Sequence, residues 1–299
     1  MTNYHDPVLL GECLEGLNLH SRGVYVDVTF GGGGHSRAIV SKLSEGHLYA
    51  FDQDDDALEN EMDDDRFTLI NANFRDLKNS LRMYGVKEID GLLADLGVSS
   101  HQFDVPDRGF SIRFDANLDM RMDQNASLDA KKVLNSYEQE ELREIFKSYG
   151  ELKRPGTLAR VIFEAKERES IETVEQLKDL LKPYAPKIQE NKFYAQVFQA
   201  LRIEVNDELN ALKEMLSQAE EILKPGGRLV VISYHSLEDR LVKNLIHKGN
   251  FEGILEQDFY GNKLLKFKKI NRKPILPTEE EIQRNSRARS AKLRIAEKL

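Results

Sequence analysis

The sequence has 299 residues, 40% of them hydrophobic and 31% charged, with a formal net charge of −8. No apolar run approaches the roughly 20 residues that a membrane-spanning helix needs. A single cysteine, Cys13, excludes an intrachain disulfide and a cysteine-cluster metal site. These features predict a cytoplasmic protein with no membrane partner, and no His, Asp and Glu cluster has the spacing of a metal centre.

The first predicted elements are a strand over 24–29, the glycine cluster Gly31–Gly34 and a helix that begins at Ser36. A second strand, over 48–51, ends at Asp52. This order is typical of an open α/β sheet that binds an adenosine. Glycines let the backbone approach the ligand, and the acid accepts hydrogen bonds from the ribose hydroxyls.

The alternation of strands and helices continues through the next forty or so residues. Strands are predicted over 67–70 and 91–96, with helical stretches near 57–62 and 77–84. Because strands that alternate with helices form parallel sheets, we predict an α/β fold with helices on both faces of the sheet.

The strand signal then disappears between about 128 and 186. Capping-box patterns at 136–139 and 173–176 precede apolar residues at helical spacing, which predicts a helical insertion. We therefore predict a discontinuous cofactor-binding domain, 1–104 with 193–299. A mainly helical domain for substrate recognition, 105–192, would interrupt it.

The sheet pattern resumes after the insertion. A helical face over 209–223 ends at Lys224-Pro225-Gly226-Gly227, and a strand over 228–233 follows. Two final strands are predicted over 263–270 and 291–296.

Five groups are expected to converge in such a sheet, because its active sites lie at the carboxyl ends of the strands. They are Asp27, the glycine turn, Asp52, Asp95 and the segment after Ser233. The glycine turn alone fits a dinucleotide dehydrogenase or an S-adenosylmethionine (AdoMet) methyltransferase. The turn lacks the regular spacing of pyrophosphate binders, and the Lys-Pro-Gly-Gly element is common in methyltransferases, so AdoMet is favoured. Asp52 suits the ribose, and Asp27 and Asp95 suit the ammonium group and the cationic surroundings.

Several motifs together resemble the ribosomal RNA small-subunit methyltransferase H family, also called MraW. The resemblance covers nearly the whole chain. Its motifs are Phe30-Gly31-Gly32-Gly33-Gly34-His35, Asp95-Leu96-Gly97-Val98-Ser99-Ser100, Ser233-Tyr234-His235-Ser236-Leu237-Glu238-Asp239-Arg240, and the segments 108–111, 118–123, 198–206 and 287–294.

This resemblance implies a class I methyltransferase fold, Rossmann-like, with a mostly parallel seven-stranded sheet. It implies transfer of a methyl group from AdoMet to N4 of one cytidine in the decoding region of 16S rRNA. The partner would be the small ribosomal subunit or its RNA. The cofactor contacts that it implies are Gly33, Gly34, His35, Asp52, Phe74, Asp95 and Gln102.

The chain departs from the family pattern at two places. His101 stands where the family commonly has proline, and 193–197 replaces a common His-Pro-Ala-Thr-Arg. The Asp/Asn-Pro-Pro-aromatic motif of other amino-methyltransferases is also absent. We therefore expect Asp95 with Ser99 and Ser100 to flank the reacting amine, with His235 as a second candidate proton acceptor.

RNA contacts are predicted at two places. The first set is Arg108, Phe110, Arg121 and Arg202. The second is the basic end of the chain, where 243–299 contains 14 Lys/Arg against 7 Asp/Glu. Its phosphate contacts would come from Lys266, Lys268, Lys269, Arg272, Arg287 and Arg289, which predicts salt-sensitive RNA binding.

Three alternatives remain open at this point. They are a methyltransferase of a small molecule or protein, an NAD(P)-dependent oxidoreductase, and a non-catalytic RNA-binding assembly factor. The oligomeric state is not predicted.

Overall fold

The computed structural model describes residues 7–299, which form two compact units. One unit consists of the chain up to Gly97 together with Leu209–Leu299, and the other is Val98–Glu208. The sequence predicts the insertion over 105–192, so the second unit of the structure extends beyond that range at both ends. Within residues 7–299, no helix combines the length and apolarity that a bilayer crossing requires.

The first unit is built on a seven-stranded sheet in the order β3-β2-β1-β4-β5-β7-β6. Strands β1 to β5 pair in parallel, whereas β7 is antiparallel to both β5 and β6. This confirms the predicted α/β class and the mostly parallel sheet. The strands are β1 Val24–Asp27, β2 His47–Asp52, β3 Phe67–Asn71, β4 Ile89–Asp95, β5 Leu223–Ser233, β6 Phe267–Lys269 and β7 Lys292–Lys298.

Twelve α-helices lie within the described residues 7–299. They are α1 Leu10–Leu17, α2 Gly34–Val40, α3 Leu77–Met83, α4 Ser100–Asp104, α5 Ala130–Ser136, α6 Gln139–Ser148, α7 Pro155–Lys166, α8 Val174–Leu181, α9 Glu190–Asn206, α10 Glu208–Ile222, α11 Ser236–Lys248 and α12 Glu279–Arg284. Short 3-10 helices cover Asp55–Asn60, Phe74–Asp76, Pro106–Arg108, Lys182–Tyr184 and Ser286–Ser290.

The central strands of the sheet are buried on both faces, which is why they read as nearly continuous apolar runs. Two separate apolar cores result. One includes Phe51, Met215 and Phe267, and the other includes Cys13, Tyr25 and Ile295. The same layering brings the carboxyl ends of β1, β2, β4 and β5 to one edge of the sheet.

The second unit is helical, as its loss of strand pattern predicts, and it has an apolar core of its own. Thr173 forms the predicted capping box with Gln176 at the start of α8. The box predicted at 136–139 lies two residues further on, where Glu138 and Glu141 cap α6. Ser136 instead ends α5.

Candidate active site

The glycine turn after β1 is shaped by two left-handed residues, Gly31 with φ of 49° and Gly33 with φ of 74°. A Cβ on Gly33 would lie 2.8 Å from Nη1 of Arg37 and 2.9 Å from the Phe30 ring. A Cβ on Gly34 would lie 2.8 Å from Cγ of Pro7. A side chain at either place would therefore displace these neighbours, and the positive φ of Gly33 also favours glycine.

Asp27 forms hydrogen bonds with residues on either side of the glycine turn. Its carboxylate accepts hydrogen bonds from the backbone N–H and the hydroxyl of Thr29, and from the hydroxyl of Ser36 at 2.7 Å. The residue is 1% exposed. Asp27 thus organises the start of α2, and its contact with the ammonium group of the cofactor stays a prediction.

Asp52 joins the end of β2 to the glycine turn. One carboxylate oxygen accepts the Gly31 N–H at 2.7 Å, and the other accepts the Asp54 N–H at 3.0 Å. Burial raises the pKa of Asp52 to about 6, against the lowering effect of these two hydrogen bonds. Because a carboxylate offers about four acceptor sites, both oxygens keep capacity for hydroxyl donors.

Asp95 ends β4 and has neighbours from three segments. Its backbone N–H donates to Oγ1 of Thr29, and its Oδ1 accepts the Tyr234 hydroxyl at 2.7 Å. Its Oδ2 lies 3.8 Å from Nδ1 of His35. Burial raises the pKa of Asp95 to about 6, although 22% of the side chain stays exposed, and the charge of His35 and the Tyr234 hydrogen bond act in the opposite direction.

His35 stands at the start of α2, where the sequence placed a cofactor contact. Its Nε2 is 2.9 Å from the carbonyl oxygen of Val8. A carbonyl oxygen only accepts, so Nε2 carries a proton and Nδ1 faces Asp95. The structure therefore brings together Gly33, Gly34, His35 and Asp95 in the first unit.

Phe74 lies in the turn after β3, within the 3-10 helix Phe74–Asp76. The ring is half-buried against the apolar core. Asn73 caps this helix and donates its amide to Oε1 of Gln53 at 2.6 Å, which links the segments after β2 and β3. An adenine wall at Phe74 stays a prediction.

Three predicted site residues belong to the second unit. Ser99 is the N-cap of α4: its hydroxyl accepts the Gln102 N–H, and its own N–H donates to Oε1 of Gln102 at 3.0 Å. Ser100 is the first residue of that helix. Gln102 is 4% exposed and has this local structural role, so its contact with a cofactor stays a prediction.

His235 is the N-cap of α11. Its Nδ1 accepts the Glu238 N–H at 3.5 Å, and its Nε2 lies 3.1 Å from Oε1 of Glu238 without the alignment of a hydrogen bond. Glu238 in turn accepts the Tyr234 N–H at 2.9 Å. The ring therefore organises a helix start, and proton acceptance by His235 stays a prediction.

The four RNA contacts predicted in the second unit have internal partners. Arg108 and Phe110 are 7% and 5% exposed, and Arg108 donates to the carbonyl of Arg121. Arg121 forms a two-point ion pair with Asp119, and Arg202 forms one with Glu208. These arrangements support structural roles for all four side chains.

With this geometry established, comparison with known proteins decides the family. The model of the MraW methylase family matches residues 2–299. The chain belongs to the MraW methylase family. It is 60% identical to the ribosomal RNA small subunit methyltransferase H of Christiangramia forsetii, over 100% of this chain and 99% of the relative. It is also 60% identical to the protein of the same name from Flavobacterium johnsoniae, over 99% and 98%.

Membership in the MraW methylases confirms the predicted class I methyltransferase fold and AdoMet as the cofactor. The site fits that group, because parallel pairing of β1 with β2 and β4 brings the glycine turn, Asp52 and Asp95 to one edge of the sheet. Asp52 also keeps acceptor capacity for a ribose.

Tyr234 is the site residue of this MraW methylase that sequence reasoning missed. It follows β5 directly, and β5 pairs with β4, which brings Tyr234 beside Asp95. The sequence motif contains both Tyr234 and His235, and it does not indicate which of them contacts Asp95.

Proposed function

We propose that this chain transfers the methyl group of AdoMet to the exocyclic N4 of a specific cytidine in the decoding region of 16S rRNA, in the cytoplasm. The names of the relatives from Christiangramia forsetii and Flavobacterium johnsoniae support the RNA substrate. The observation that carries the chemistry is Asp95, a carboxyl group with a pKa of about 6 at the end of β4, beside the glycine turn.

The cofactor contacts that we propose are Gly33, Gly34, His35, Asp52, Phe74 and Gln102. When bound, AdoMet supplies an electrophilic methyl group on a sulfonium centre. Asp52 would accept hydrogen bonds from the ribose hydroxyls, and the glycine backbone would approach the amino-acid end.

The N4 amine of cytosine is a weak nucleophile because its lone pair is delocalised into the ring. Asp95 can hold this amine by accepting one of its hydrogen bonds, which favours attack in line with the methyl group. Since its pKa is about 6, the carboxyl is mostly ionised near neutral pH. It can therefore take the proton that becomes acidic as the new N–C bond forms.

Tyr234 fixes Oδ1 of Asp95 by its hydrogen bond, and His35 lies nearest Oδ2. We infer that Oδ2 is the oxygen that meets the amine. Ser99 and Ser100 would add acceptors near the amine, and the target base must leave its stack to reach the site.

Mapping of methylated nucleotides in 16S rRNA, with and without this protein, tests the proposal. A purified Asp95→Ala variant should lose transfer of labelled methyl to small subunits, whereas Glu88→Ala, an exposed acid directly before β4, should keep it. Near-normal turnover of Asp95→Ala would overturn the assignment of Asp95.

The remaining alternatives give different results. A methyltransferase of another substrate would bind AdoMet but leave 16S rRNA unmodified. An assembly factor would bind small subunits without transferring label. Calorimetry with AdoMet and with NADH separates a methyltransferase from an oxidoreductase.

A further inference from the structure

A hairpin between α11 and β6 carries two aromatic side chains at its tip. Asp258 N–H donates to the Asn262 carbonyl at 2.9 Å, Gln257 pairs with Lys263, and the tip between them contains Phe259 and Tyr260. Their side chains are 96% and 86% exposed. We call Phe259 and Tyr260 the aromatic tip.

Internal hydrogen bonds shape the turn that presents the aromatic tip. Oδ1 of Asp258 accepts the backbone N–H groups of Tyr260 and Asn262, each at 2.8 Å, and Oδ2 accepts the Asn262 side-chain amide. Gly261 takes a left-handed conformation with φ of 84°. The two rings are therefore held outward by the turn and do not result from an irregular loop.

The rings stand edge to face, with centroids 5.5 Å apart and an interplanar angle of 87°. In this arrangement the edge of one ring covers one face of the other. The remaining faces are open to solvent, which leaves flat aromatic surface for a planar partner.

The base of the hairpin is fixed to the end of α11. A Cβ on Gly249 would lie 2.4 Å from the Leu264 carbonyl oxygen, so the residue after α11 and the hairpin are in close contact. Asn244 donates its amide to the Phe251 carbonyl at 2.9 Å. The aromatic tip is thus supported by the first unit.

The chain around the tip is strongly basic. From Phe259 to Thr278 there are six Lys/Arg and no Asp/Glu. Two of the six are paired, Lys266 with Glu220 and Lys268 with Glu297. The other four form no ion pair within residues 7–299: Lys263, Lys269, Arg272 and Lys273.

We propose that the aromatic tip stacks on an unpaired base of single-stranded RNA while these four cations contact its phosphates. The proposal rests on the proposed function, because it names a part of the RNA-binding surface that serves it. Lysines also protect an edge strand such as β6 from unwanted pairing, but edge protection does not explain two exposed rings. Exposed aromatic rings beside a basic surface are the features that bind single strands without sequence preference.

The chain contains no tryptophan, so a Phe259→Trp variant carries a single fluorescent reporter on the tip. A labelled, unstructured RNA of about twelve nucleotides should quench its emission on binding, because a stacked base quenches an indole. Met83→Trp, which is 79% exposed at the end of α3, is the matched control and should keep its emission. RNA binding without quenching of Phe259→Trp would overturn the proposal, as would failure of the wild-type protein to bind this RNA.

A second measurement separates stacking from general affinity. The Phe259→Ala/Tyr260→Ala double variant should bind the RNA about ten-fold more weakly by fluorescence anisotropy. The wild-type protein should bind an abasic RNA of the same length about as weakly as the double variant binds the normal RNA. The double variant should bind the abasic RNA with the same affinity as the wild-type protein does. If the double substitution weakened binding to the abasic RNA by the same factor as binding to the normal RNA, the tip would not contact bases.

Unchanged AdoMet binding by calorimetry shows that each variant is folded. Sedimentation velocity tests self-association, and a wild-type dimer that the double variant abolishes would overturn the RNA assignment. Quenching by RNA together with no methylation of small subunits by the wild-type protein would contradict the proposed function alone. Methylation without quenching would contradict only the role of the tip.

Discussion

At the scale of single residues, the hydroxyl of Tyr234 stabilises the ionised form of Asp95. In a Tyr234→Phe variant this hydrogen bond is lost, so the pKa of Asp95 should rise above about 6. We expect the acid limb of the methyl-transfer pH profile to move upward by about one pH unit, with the rate at high pH largely kept. Steady-state assays from pH 5 to 9 measure this shift.

Tyr84→Phe is the control for this prediction, because Tyr84 is 49% exposed and lies before the start of β4, whereas Asp95 is at the other end of that strand. A role limited to packing would lower the rate of Tyr234→Phe equally at every pH. An unshifted profile would therefore contradict the positioning role of Tyr234.

Asp52 gives a second prediction with a defined sign. Its pKa is raised from 3.8 to about 6 in the folded chain. The folded state therefore binds more protons than the unfolded state between about pH 4 and 6. The contribution of Asp52 to the free energy of unfolding accordingly falls as pH rises through that interval. An ionised carboxylate is the stronger acceptor for hydroxyl groups, so the affinity for AdoMet should increase over the same interval.

Calorimetry at pH 6 in buffers of different ionisation enthalpy should show proton release when AdoMet binds. Asp52→Asn should reduce this release and weaken binding about ten-fold or more. Glu59→Gln, an exposed acid on the same loop, should do neither. Equal affinities of the wild-type protein for AdoMet at pH 5 and pH 7 would refute the prediction.

These residues show which parts of the candidate site can be predicted from sequence. Asp52 and Asp95 could be placed because each ends an apolar strand of a parallel sheet, and that rule needs no side-chain detail. Tyr234 and His235 are neighbours in the short connection between β5 and α11, so apolar spacing does not tell which of the two side chains faces Asp95. Only the structure shows that Tyr234 faces Asp95 and that His235 caps α11.

At the scale of elements, the glycine turn permits a matched comparison. Gly33 and Gly85 both have positive φ, 74° and 78°, but a Cβ on Gly85 meets nothing within 4 Å. Gly85→Ala should therefore cost only the backbone strain, about 1 kcal/mol. Gly33→Ala adds a clash with Arg37 and Phe30, so it should cost about 1–3 kcal/mol more and abolish AdoMet binding.

Urea denaturation and calorimetry measure the two effects. If both variants lose the same stability and both bind AdoMet, then the close packing around Gly33 is not what the ligand site depends on.

The boundaries of elements were harder to predict than their type. The strand predicted over 228–233 begins at Leu223, because Leu223 pairs with Ile89 before a shift of register. The helix expected near 57–62 is the 3-10 helix Asp55–Asn60, which Asp54 caps. Cross-strand pairs and local caps set these limits, and neither is encoded in apolar spacing alone.

At the scale of the whole molecule, each compact unit encloses apolar cores of its own. The helix α9 illustrates why composition does not reveal the division: its buried residues, such as Phe193 and Leu201, belong to the core of the second unit. Helical periodicity looks the same on either side of a domain boundary. A helix is assigned to a unit by the core in which its side chains are buried, and this is known only from the three-dimensional structure.

A separate core implies that the second unit can fold alone. The isolated segment 98–208 should be helical by circular dichroism and should unfold in one cooperative transition in urea. In this segment Leu177→Ala should lower the free energy of unfolding by about 2–5 kcal/mol, because Leu177 is completely buried. Ile188→Ala, at 99% exposure, should change it by less than about 0.5 kcal/mol. A gradual, non-cooperative loss of helix in the isolated segment would mean that its core is not sufficient, and that the fold of the second unit depends on the rest of the chain.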